Sequence, residues 1–134
     1  GAELRNATVN GLDGRPAASV GVIFGQDGLV QISNSVIGGV NVGVSSDGGG
    51  GSVRYCDVHD VDVGLIGVPV DETNISADPD YDNPAEGDFD VRDDSPIVDA
   101  GDPGLICDRE PVDAEGACRL DMGHRGNTPA ARSR

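Results

Sequence analysis

Arg54, Asp57, His59, Asp60 and Asp62 form the densest set of ionisable side chains on a regularly patterned stretch of this chain. Carboxylates whose pKa values are driven apart can divide general-acid and general-base work, which makes these five the candidate catalytic residues. Against that stands a solvated acidic corner. No catalytic signature accompanies the residue types, and Arg54 and Asp62, both turned outward by alternation, fall on different strands. A second group, Asp78, Asp80 and Asp82, puts carboxylates at alternate positions ahead of Asn83, a residue that tolerates a left-handed turn. This is how a calcium loop opens, so Ca²⁺ is the cofactor these acids would take. The twelfth position is Phe89 where a bidentate Glu would stand, although Glu86 and Asp88 are near, and a plain acidic turn is the alternative.

Of the three cysteines, Cys107 and Cys118 are eleven residues apart with Pro111 and Gly116 between them, a spacing a loop disulfide can close. Two free thiols are the other reading. Cys56 is left over, expected as a small outward or corner side chain; as a nucleophile it would need a base, and His59 is the only candidate.

The 134 residues suffice for one domain with a single core. With 24 acidic residues against nine basic ones, all Arg, the net charge is −15, which excludes nucleic acid as a partner. The acid excess fits weak Ca²⁺ sites or a high-salt setting equally well. No apolar run reaches the roughly 18 residues of a membrane span, and no basic-then-apolar signal segment opens the chain. The 21 glycines, absent Trp and 3% aromatic content argue against a helical bundle and for repetitive β-structure.

A repeat accounts for that composition. Val20-Gly21-Val22-Ile23-Phe24 lines up with Val40-Asn41-Val42-Gly43-Val44 and with Val61-Asp62-Val63-Gly64-Leu65, at offsets of 20 and 21 residues. Alternation turns Val20, Val22, Phe24 and their counterparts inward, and Gly21, Asn41 and Asp62 outward. A second row matches Val30-Gln31-Ile32-Ser33-Asn34 to Val53-Arg54-Tyr55-Cys56-Asp57 at an offset of 23, with Leu4-Arg5-Asn6 at its start and Ile75 continuing it. Two strands recurring in one order predict a solenoid, with corner insertions at 11–18 and at 47–51. Asn6, Asn34 and Asp57 then share one corner and form a structural ladder. From Ala77 the period is lost, and six of the eight prolines follow. The expected domains are therefore β-helix coils over 1–76 and an irregular cap and tail over 77–134, with Phe89, Val91, Ile97, Val98, Leu105 and Ile106 suited to plug the last coil.

Asn74-Ile75-Ser76-Ala77-Asp78-Pro79, Gly87-Asp88-Phe89-Asp90-Val91, Ser95-Pro96-Ile97-Val98-Asp99-Ala100-Gly101-Asp102 and the closing Leu120-Asp121-Met122-Gly123 carry a family resemblance. The order resembles the C-terminal part of secreted bacterial right-handed parallel β-helix proteins, pectate-lyase-like and of the choice-of-anchor type. The resemblance implies an all-β fold, a right-handed solenoid of about three coils here, and an extracellular or cell-surface setting. Asp80-Tyr81-Asp82 is more acidic than the family's pattern at that site, and no anchor segment follows His124. Family lyases hold Ca²⁺ on carboxylates against an acidic sugar while an Arg removes a proton, and related hydrolases pair aspartates.

The expected function is a non-catalytic extracellular module for structure, adhesion or weak glycan contact, a fragment or miniature of a longer solenoid. The alternative is a polysaccharide lyase or glycoside hydrolase acting on acidic glycans with Ca²⁺. Phe24 and Tyr55 are predicted inward, so contact with a polysaccharide would be polar, along Gln31/Arg54 and Asn41/Asp62. The exposed first coil is expected to make a homo-oligomer.

Overall fold

The computed structural model describes residues 1–11, 18–26, 28–113 and 116–133. The alternating stretches are strands: β1 (Ala2–Arg5), β2 (Thr8–Asn10), β3 (Val20–Phe24), β4 (Val30–Ser33), β5 (Val36–Ser46), β6 (Gly51–Arg54) and β7 (Asp57–Ile66). β1, β4 and β6 form one sheet in that order. β2 and β3 both lie against one edge of β5, whose other edge takes β7. All these pairings are parallel, and among the described residues there is no α-helix. The expected insertion between β2 and β3 falls mostly on residues 12–17, outside the described ones.

Two registers differ from the repeat alignment by two residues. Val20 pairs Val42, not Val40, and Val30 pairs Gly51 while Ile32 pairs Val53. A slip of two preserves alternation, so the apolar pattern alone does not distinguish the registers. Side-chain volume does. A Cβ on Gly51 would lie 2.6 Å from Phe24 Cζ, so the missing side chain makes room for that ring. The observed register also stacks Gly21, Gly43 and Gly64, with Ile37 and Val58 filling the space beside the first two. The Val40–Val61 pairing stands as expected.

The slip moves the corner. Asn6, Asn34 and Tyr55, not Asp57, carry the left-handed backbone at φ 52°, 48° and 50°. Asp57 opens β7 opposite Val36. The corner amides also bind across to the C-terminal segment instead of to each other. Asn6 Nδ2 donates to the Gly126 carbonyl at 2.9 Å, and Asn34 Oδ1 accepts from the Asp102 amide at 2.8 Å.

The core is double. Phe24, Ile32, Ile37, Val44, Val53, Cys56, Val58 and Val68 pack between the two sheets. Val36, the neighbour of Ile37, is equally buried but belongs to a second cluster with Val91, Ile97, Val98 and Met122, flanked by Tyr55, Ile75, Tyr81 and Ala100. Successive strand residues face opposite ways, so both faces of β5 are covered, the outward one by the C-terminal segment. Val91, Ile97 and Val98 thus pack along a sheet face. Ile106, expected beside them, is 78% exposed. Tyr55 turns to this outer cluster, against the inward expectation, because its left-handed backbone breaks the alternation. Cys56 is inward, not outward. In the C-terminal segment, β8 (Tyr81–Asn83) pairs antiparallel with β9 (Asp88–Val91) across a 3₁₀ turn at Pro84–Glu86.

Candidate functional site

On the outward face of the β5 sheet, Thr8, Val36 and Asp57 form one cross-strand row, and Asn10, Gly38 and His59 the next. Asn10 and His59 of the second row, with Gly11 and Gly39, line one side of a recess of about 490 Å³ that Ser76, Ala77, Asp78, Tyr81, Pro84, Ala85 and Asp60 complete. Gly38 lies beneath the His59 ring. A Cβ there would lie 2.4 Å from Cε1 and Nε2 of His59, so the imidazole rests on bare backbone.

His59 is nine-tenths buried, and its Nδ1 lies 3.2 Å from Oδ2 of the fully buried Asp57. The other carboxylate oxygen, Oδ1, accepts the Ala77 amide at 2.9 Å. That bond ties the recess wall to β7 and is a structural duty of Asp57; its Oδ2 and the His59 Nδ1 face each other with neither making a hydrogen bond among the described residues. Tyr81 stands with its ring centroid 6.2 Å from that of His59, and burial pushes its phenol well above the ordinary value. Next to it, Thr8 Oγ1 and His124 Nδ1 are 3.0 Å apart, and the His124 amide donates to the same hydroxyl. Burial, then the nearby Arg125 charge, lowers the His124 pKa.

Of the five residues nominated for catalysis, Asp57, His59 and Asp60 come together and two do not. Arg54, on the other sheet, is exposed and pairs with Asp71 at 3.1 Å. The Thr73 hydroxyl and amide, followed by Arg54, hold the Asp71 carboxyl below its usual value. Asp62 accepts from Asn41 Nδ2 at 2.6 Å, in the outward row that alternation predicts. Gln31 and Arg54 are both exposed as expected, but the register pairs Gln31 with Ser52.

The three aspartates nominated for Ca²⁺ separate. Asp78 lines the recess and accepts the Asp80 amide at 3.0 Å, Asp80 pairs with Arg92 at 3.1 Å, and Asp82 is exposed on β8. Among the described residues the one group of three His, Cys, Asp or Glu side chains whose ligand atoms fall within 4.8 Å of one another is Cys107, Glu110 and Cys118. Cys107 and Cys118 form the disulfide, with Cα atoms 5.8 Å apart. Cys56 is free and buried, and desolvation pushes its thiol up to about 11, which removes the thiolate a nucleophile requires.

Sequence reasoning missed Asn10 and Gly38, and left Tyr81 as an aromatic not turned inward without joining it to His59. Gly38-Gly39 reads as a corner, whereas Gly38 is a strand residue, and only Gly39, at φ 66°, takes the turn conformation. No protein-family model, curated protein or solved structure matches the chain. No helix among the described residues is long and apolar enough to cross a membrane.

Proposed function

We propose that this chain is a right-handed parallel β-helix module of about three coils, placed outside the cytoplasm at a cell surface or in secretion, that acts without catalysis in structure, adhesion or weak glycan contact. The observation carrying this reading is the C-terminal segment packed over the outward face at Val36. It leaves a short recess where an extended polysaccharide groove would need open sheet. Parallel ladders in both sheets support the coil, and the disulfide supports an oxidising compartment. A short saccharide would meet Asn10, Ser76, Asp78 and Tyr81 in the recess, mostly through polar atoms. Among the described residues the first-coil strands β1 and β3 each pair on one side only, and the exposed Ile23 and Leu29 would favour self-association through that end.

A lyase or hydrolase acting on acidic glycans with Ca²⁺ is the second reading, favoured by the Asp57–His59 pair at the recess. His59 would be its base, oriented by Asp57, with Asp60 or Asp78 as the acid. A panel of acidic and neutral polysaccharides, assayed with Ca²⁺ for unsaturated uronides and new reducing ends, separates the two. The module reading expects no product. Product that disappears in His59→Ala, with the fold intact, overturns it.

A further inference from the structure

We propose that reduction of the Cys107–Cys118 disulfide converts this corner of the C-terminal segment into a thiolate–carboxylate site for a soft divalent cation, Zn²⁺ by its ligand chemistry. The inference is independent of the reading above.

Glu110 is the reason. It is buried, although a carboxylate is costly to bury unless bonded. Its Oε1 accepts the Asp121 amide at 3.1 Å and also the Asn127 amide, which fixes the carboxylate in place. Its Oε2 is thereby turned to the sulfurs, 3.6 Å from Cys107 Sγ. In the disulfide neither sulfur has a proton to give, so that approach brings Oε2 no hydrogen bond. Around a tetrahedral Zn²⁺, with bonds of about 2.3 Å to sulfur and about 2.1 Å to oxygen, a sulfur and an oxygen ligand sit about 3.6 Å apart. The Glu110–Cys107 distance already meets that requirement. Once the S–S bond is cut, side-chain rotation lets the second sulfur reach the same ion. Two thiolates favour Zn²⁺ over the hard Ca²⁺, and a fourth position remains for water. The net charge of −15 raises the local cation concentration.

The balance is simple. A dithiol gives two electrons and two protons to the disulfide and becomes a disulfide itself, leaving Cys107 and Cys118 as thiols. Metal binding then releases their protons to solvent. Oxidation would expel the metal.

The test is an anaerobic Co²⁺ titration of the whole chain, once oxidised and once reduced by a phosphine, with far-ultraviolet circular dichroism recorded in parallel. One equivalent of Co²⁺ should give the reduced chain a thiolate-to-cobalt charge-transfer band and tetrahedral d–d bands, displaced by Zn²⁺, while the oxidised chain gives neither. The double variant C107S/C118S should lose both. Glu110→Gln, which retains an oxygen to accept the two amides, should weaken Co²⁺ binding about tenfold or more. Equal binding by oxidised and reduced chains, no band at one equivalent, or unchanged affinity in Glu110→Gln would each overturn the site. If reduction alone unfolds the chain, one equivalent of metal must restore the β spectrum, and a band without that recovery counts against the proposal.

Discussion

Gly38→Ala offers the sharpest test of how the recess is built. Gly38 lies in β5 with ordinary strand backbone, so alanine meets no dihedral strain there, and by itself would stabilise by about 0.4–1 kcal/mol through the unfolded chain. The added methyl, however, lies 2.4 Å from two His59 ring atoms, where an ordinary contact begins at 3.4 Å. The imidazole must retreat by about 1 Å, between the Asp57 carboxylate and the Tyr81 ring. Forcing a methyl into such a site costs about 1–3 kcal/mol, which, against that gain, leaves a net loss of roughly 0–2.6 kcal/mol. Urea denaturation measures the loss, and the His59 ring resonances report the displacement. In a His59→Ala background the same change should be neutral or stabilising, because the methyl then has room. An equal change in both backgrounds, or His59 ring resonances that do not move, would refute the stacking of His59 on Gly38.

Four further outcomes follow from the packing and the charges. Met122→Ala, in the outer cluster, should cost about 2–5 kcal/mol and raise amide exchange through residues 90–131 before it does so in β5 and β7. His124 binds its proton less tightly in the folded chain than in the unfolded one, so stability should fall as pH drops through the unfolded value near 6.5. The slope should shrink in His124→Gln, and a wild type that gains stability in acid relative to that variant would contradict the assignment. Opening the eleven-residue disulfide loop in C107S/C118S should cost about 2–3 kcal/mol in metal-free denaturation. Cys56, with its thiol near 11, should resist iodoacetamide at pH 8 until the chain unfolds.

The strands were legible where alternation is regular, as in the Val40–Val44 and Val61–Leu65 pairing, which rests on pattern alone. Register was not, because a two-residue slip leaves the pattern unchanged and the deciding fit, the Phe24 ring over Gly51, joins residues far apart in sequence. The disulfide was one of the two readings that local spacing allowed. The recess does not, since its wall begins at Ser76 and its floor at Asn10, and only folding the C-terminal segment back over β5 joins them. The same fold-back explains Asp57. At its position in the sequence it looks like a corner residue, yet its buried carboxylate holds the Ala77 amide and faces His59. Arg54, three residues earlier, lies on another sheet because the corner at Tyr55 intervenes.

The central structural claim is that the C-terminal segment packs along the outward face of β5 at Val36. Methyl–methyl nuclear Overhauser contacts in a Val-, Ile- and Met-labelled sample test it directly. Val36 should contact Val98, Ile97 or Met122, while the adjacent Ile37 contacts Val9 and Val58. Contacts of Ile97, Val98 and Met122 to Ile37, Val58 or Leu65 in place of Val36 would put the segment against the interior and contradict the account.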